Sequence, residues 1–322
     1  SVPPPFFYTI PVFVIAILKQ LFSESWQLSF FLLNLLLLLT IQLLMVKTLM
    51  LVGVRNFVIA AVMPLMLISA DFITWPRYLL TDMIFSVLVM ALVYYALRCR
   101  LKQRYSLLPL FLLTLIIAAT RPTSPPIIFA LILILIAPKI LPTIVTRKAL
   151  SLILIAGVLF SALSYGAFID TIQSLALSNE QIQFFINMVN QGMVVHDRLD
   201  TWITPPSNWL EIARLFLVRF MAFFSPTAIT FSDSHNFANI LLLIYFLSGI
   251  LIWASISRSV VLDLDETAWV ILVLCAVVAC YHSATLIDFD WRYRFPLIAP
   301  LIVFSATSWE YYLRSFLGES NS

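Results

Sequence analysis

Charge is scarce in this sequence: Asp, Glu, Lys and Arg together make up 11% of its 322 residues. An average soluble domain carries roughly a quarter, and a soluble globule needs that charge to cover its surface. Disorder, which requires few apolar residues and much charge, is excluded as well, because 62% of the residues are hydrophobic. Six glycines are too few for a collagen-like or linker-rich chain. The three cysteines, Cys99, Cys275 and Cys280, have neither disulfide-framework nor metal spacing and read as small buried hydrophobes. Cys99 falls in a basic stretch expected as a loop. The three histidines, His196, His235 and His282, are not spaced as metal ligands, and no HExxH, Walker loop, GxGxxG or GxSxG occurs. No cofactor is therefore expected, and a divalent metal held by distant His and acidic residues has no sequence support. The net charge of +3 comes mostly from Lys and Arg between apolar runs. There they set orientation in a membrane and give no sign of nucleic-acid binding. The opening residues do not read as a signal peptide.

What is abundant is apolar sequence, with a mean hydropathy of +1.01. Long runs without alternation read as membrane helices. The expected class is an all-α polytopic membrane protein, a single transmembrane domain over 1–322. About nine spans are expected, near 28–45, 57–73, 83–97, 107–119, 127–141, 150–168, 240–256, 269–282 and 297–309. Two further stretches, 6–21 and 210–224, carry charges or prolines and either span or lie in the interface. The densest basic cluster, Arg98, Arg100, Lys102 and Arg104, reads as a short cytoplasmic loop under the positive-inside rule. The segment 71–82, the turn at Arg121 and an outer-side loop segment at 170–236, polar over 170–206, then fall on the outer side. For the last third the charge rule ties: if 210–224 is interfacial, Arg292 and Arg294 are outside and Arg314 inside, and if it spans the assignments reverse.

Three constellations carry possible chemistry. In the first, Asp71 and Asp82 bracket an outer connection. Thr81 or Asp82 serves as a helix cap with favourable charge at the positive dipole end, or Asp82 is a carboxylate held at a membrane-surface site. In the second, Thr-Arg-Pro-Thr-Ser-Pro-Pro, Arg121 suits a helix C-terminus and Ser124 can cap a helix begun by Pro125. Alternatively Arg121 binds a phosphate through its forked donors. In the third, Asp-Phe-Asp-Trp-Arg-Tyr-Arg-Phe-Pro, Arg292 and Arg294 stand at a helix start, where cations are unfavourable. An anion should be near, supplied by Asp288 and Asp290 or by a ligand phosphate.

Taken in order, the Pro-Pro-Pro-Phe-Phe-Tyr opening, Tyr-Leu-Leu-Thr-Asp-Met, the Thr-Arg-Pro turn and Arg-Tyr-Arg-Phe-Pro-Leu-Ile-Ala-Pro before the final helix resemble bacterial GT-C fold membrane glycosyltransferases. These are the enzymes related to protein O-mannosyltransferases and aminoarabinose transferases. The resemblance covers nearly the whole chain. It implies transfer of a sugar from a polyprenyl-phosphate donor to an acceptor at the outer face of the bacterial inner membrane. It implies Asp82, with Asp71, as catalytic carboxylates, and Arg121, Arg292, Tyr293 and Arg294 as donor-phosphate residues. His196, Asp197 and His282 would lie on the acceptor side. It also puts the Arg-Tyr-Arg stretch outside and makes 6–21 a membrane-hugging helix. In that family a first span and an early key acid precede the region matching residue 1. No residue of this sequence takes that acid's place, so it lies upstream of Ser1 or this chain is inactive. The rival readings are a non-catalytic subunit of an envelope complex, which co-purification with a partner would reveal, and a polyprenyl-lipid transporter, which a vesicle assay would reveal.

Overall fold

The computed structural model describes residues 8–77, 81–102, 107–121, 124–136, 209–227, 232–255, 262–284 and 294–318. Among these residues all regular structure is helical. In chain order the helices are α1 (Thr9–Phe22), α2 (Trp26–Leu51), α3 (Asn56–Val62), α4 (Pro64–Ile68), α5 (Ala70–Thr74), α6 (Asp82–Lys102), α7 (Leu107–Ala118) and α8 (Pro125–Ile136). They continue with α9 (Trp209–Phe224), α10 (Asp233–Ser255), α11 (Leu262–Ala284) and α12 (Phe295–Phe316). Four helical stretches among the described residues are long and apolar enough to cross a membrane: Thr9–Leu51, Asp82–Leu101, Asp233–Ser255 and Leu264–Ser283. The span expected at 150–168 lies outside the described residues.

The membrane character is visible in how each helix divides its faces. On α2, Leu28, Leu32, Leu36, Leu39 and Leu43 are exposed, while Phe30, Asn34, Ile41 and Met45 are buried. Both faces are apolar, so the exposed stripe needs a lipid solvent. Polar side chains are tolerated because they bond back to their own helix: Thr48 Oγ1 donates to the Leu44 carbonyl (2.6 Å), Thr307 Oγ1 to Val303 (2.7 Å) and Ser283 Oγ to Ala279 (2.6 Å).

At the centre, α6 packs against α2, α7, α11 and α12, and α12 packs in turn on α10. The bundle has two polar ends. At one, Glu310 is 1% exposed and takes Arg55 and Arg314 at 2.7 Å each. Arg314 also donates to the Gly53 carbonyl at 2.6 Å. Gly53 adopts φ +83 just past α2, a left-handed turn that only glycine enters without strain. Nearby on the chain's later half, Trp253 donates to Asp265 at 3.0 Å. Arg100 pairs with Glu266 and donates to the Ile134 carbonyl. At the other end stand the starts of α6 and α12 and the finish of α11.

Several expectations are corrected. The stretch 57–73 is broken into α3, α4 and α5. Pro64 has no N–H to continue α3, and Ser69 is extended at ψ 114. Arg98 to Lys102 are the last turn of α6, Arg100 being buried in its ion pair; Lys and Arg are good helix formers, so the helix outlasts its apolar run. Cys99 is therefore buried in α6, whereas Cys280 is exposed. Within the segment 170–236 the stretch 210–224, read as spanning or interfacial, lies in α9, and α10 begins at Asp233. Finally, α1 stays at the Asp82 end, with Ile10 N–H on the Ala119 carbonyl (3.2 Å) and Lys19 Nζ 4.7 Å from the Trp26 ring centroid. A turn at Ser23, φ 43, separates it from α2.

Candidate functional site

The site is assembled from short breaks between helices. After α5 the chain forms one 3-10 turn, Trp75–Arg77, and α2 anchors it through Asn34 Nδ2 on the Pro76 carbonyl (3.0 Å). That anchor fixes the approach to α6, whose first residue is Asp82. From the opposite side, α7 is followed by Ala119, Thr120 and Arg121, and Arg121 turns back to pair with Asp82. Both side chains are almost wholly buried. Arg121 also lies over the Phe85 ring, 5.8 Å from its centroid. The expected Ser124 cap is absent. Its Oγ has no hydrogen-bond partner among the described residues, and its backbone carbonyl instead accepts the N–H groups of Ile127 and Ile128. Pro125 and Pro126 supply no N–H for a side-chain cap to meet.

A second carboxylate, Asp71, is 1% exposed. Its neighbour Phe72 packs edge-on against Phe295, centroids 4.8 Å apart, and this contact carries Asp71 to Arg294, the residue before Phe295. Burial pushes the Arg294 guanidinium down to about 10, with the Asp71 carboxylate holding it up, so Arg294 stays charged near neutrality. Arg294 also donates to the Ser225 carbonyl. The anion that the helix start required is thus Asp71, far away in sequence; Asp288 and Asp290 lie outside the described residues. His235 Nε2 stands 3.6 Å from Asp71 Oδ1. Among the described residues neither Asp71 oxygen accepts a hydrogen bond.

Residues that sequence reasoning did not assign complete the arrangement. Arg219 on α9 is 1% exposed, and one turn later Phe223 stacks on His282, 6.0 Å between centroids and 11° between planes. His282 lies within the electrostatic reach of both Arg121 and Arg219. It therefore groups with the guanidinium cluster. Phe223 also lines the crevice that holds Asp71 and Arg294, so it is the wall shared by the two halves of the site. Of the residues expected from sequence, Asp71, Asp82, Arg121, His282 and Arg294 come together at one end of the bundle. Arg292, Tyr293, His196 and Asp197 lie outside the described residues. The signal for Arg219 was present as a cation inside an apolar helix, which in a membrane marks function or pairing.

Arg121 pairs with Asp82, Arg294 feels the Asp71 carboxylate, and Arg121 and Arg219 both act on His282, so guanidinium and carboxylate groups mix at this end of the bundle. No set of three His, Cys, Asp or Glu side chains among the described residues is arranged to hold a metal ion. Comparison with protein-family models, with curated proteins and with solved structures finds no match to this chain.

Proposed function

We propose that the protein transfers a sugar from a polyprenyl-phosphate carrier to an acceptor hydroxyl at the outer face of a bacterial inner membrane. In this reading the Asp82 end faces outward. The end holding Arg55, Arg100 and Arg314 faces the cytoplasm, in keeping with the positive-inside rule. The observation that carries the reading is the gathering, at one end of an apolar bundle, of the Asp82–Arg121 pair, of Arg294 beside Asp71 and of His282 within reach of Arg121 and Arg219. A phosphodiester brings one negative charge, and its hydrocarbon tail needs apolar walls. The sequence resemblance to GT-C enzymes supports the same activity.

The acceptor oxygen bonds to the anomeric carbon, the bond from that carbon to the phosphate oxygen breaks, and the phosphate leaves with the electron pair. Arg121 and Arg219 meet the charge that develops on it. Arg292 and Tyr293, next to Arg294 in sequence, join the phosphate side. Asp82 holds Arg121 in place and is spent on that task. Asp71, whose oxygens accept no hydrogen bond among the described residues, takes the acceptor proton, the role that falls to a different, earlier acid in the family the sequence resembles. The test follows radiolabelled polyprenyl-phosphate hexose in membranes holding the protein. Asp71→Asn, which keeps the shape and removes the base, abolishes transfer while the protein still inserts. Transfer within twofold of the parent protein removes Asp71 from this role.

A further inference from the structure

The crevice between α10 and α12 contains a polar pair whose hydrogen-bonding capacity is unfilled among the described residues. Asp71 offers two oxygens, and Asn239, 6% exposed, offers an amide nitrogen; none of these atoms has a hydrogen-bond partner among the described residues. Both residues line the same crevice, a narrow and partly open cavity of about 70 Å³. Burying such groups unpaired costs roughly 1–3 kcal/mol each, so a partner is expected to visit.

The rest of the crevice says what kind of partner. Below Asn239 on α10 come Leu242 and Phe246, and below Arg294 on α12 come Leu297 and Leu301. Seven residues along each helix is about 10 Å, so an apolar slot of that depth hangs beneath the polar pair. About one turn beyond Phe246 and Leu301 the two helices approach closely at Gly249, where a Cβ would stand 2.8 Å from the Ser305 Cα. Arg294 already balances the charge of Asp71, so the pair does not call for an ion. A neutral hydroxyl can donate to Asp71 and accept from Asn239 at once. We propose that the crevice between α10 and α12 binds an amphiphile with a neutral hydroxyl head group on a hydrocarbon chain, the hydroxyl between Asp71 and Asn239 and the chain along Leu242, Phe246 and Leu301. Its use as the acceptor site rests on the transfer reading, but its existence does not.

The test needs no donor lipid, so its outcome is separate from that of the transfer reading. Octyl glucoside carrying a diazirine in its chain is photolysed with the full chain in phosphatidylcholine nanodiscs, and adducts are mapped by mass spectrometry. Adducts fall on α10 and α12 and are competed by untagged octyl glucoside. Asn239→Leu lowers them roughly fivefold, the value of about one lost hydrogen bond. Leu301→Trp, which fills the slot and spares the polar pair, removes them, with tryptophan fluorescence confirming that both variants fold. Labelling indifferent to both substitutions overturns the proposal. So does competition by free glucose or by octyl phosphate equal to that by octyl glucoside.

Discussion

The ion pair between Asp82 and Arg121 offers the most direct quantitative check. Its side chains are 2% and 6% exposed, so each ion has given up its hydration and depends on the other. Removing one partner of such a pair costs about 3–5 kcal/mol, chiefly from the charge left behind. Arg121→Met strands the Asp82 carboxylate. Asp82→Asn takes from Arg121 its carboxylate partner, while Arg121 and Arg219 continue to act together on His282. The double variant strands neither, and replacement of a buried pair by neutral groups is often close to neutral. The double variant is therefore expected to be more stable than either single one, with a coupling of at least about 2 kcal/mol. Unfolding by SDS in mixed micelles, read through the fluorescence of the eight tryptophans, measures all four proteins on one scale. Additive losses, or single losses below about 1 kcal/mol, would refute the claim that the pair is buried and mutually dependent. The double variant also separates folding from chemistry, because restored stability without restored sugar transfer assigns Arg121 a role beyond holding the bundle.

Two other outcomes follow from packing and exposure. Gly249→Ala sets a Cβ against Ser305 Cα, Cβ and Oγ at 2.8, 2.9 and 2.7 Å, so it destabilises by about 1–3 kcal/mol in the same SDS titration. Ser305→Ala does not rescue it, because the backbone contact remains; full rescue would contradict the close approach of α10 and α12. A lipophilic maleimide adds once per chain, at Cys280, because Cys99 and Cys275 are each 4% exposed. Mass spectrometry shows the adduct lost in Cys280→Ser, and comparable labelling of either buried thiol contradicts the packing of α6 and α11.

The helices were legible where apolar length alone decides. The long apolar runs within α2, α6, α10 and α11 follow from solvent preference, since a backbone in lipid must bond to itself. Legibility failed where one residue outweighs its neighbours. An apolar tally over 57–73 passes straight through Pro64, yet the missing N–H ends α3. A cluster of Arg and Lys reads as a loop, yet Arg100 is drawn inward by Glu266, 166 residues away. The candidate site shows the same division. Arg121 and Arg294 stood out because each occupies a helix terminus, Arg294 at an unfavourable one, but the partner of each lies in another part of the chain.

Composition and periodicity thus determined that this chain dissolves in a membrane as helices, because that property is a sum over residues and needs no knowledge of who meets whom. Only the tertiary structure decided that Asp82 is occupied by Arg121 while the Asp71 oxygens accept no hydrogen bond among the described residues, and that Arg219 and His282 belong to one cluster. Those facts depend on pairwise distances between segments far apart in sequence. An ion pair forms or fails over a few ångströms, a scale set by how the helices cross.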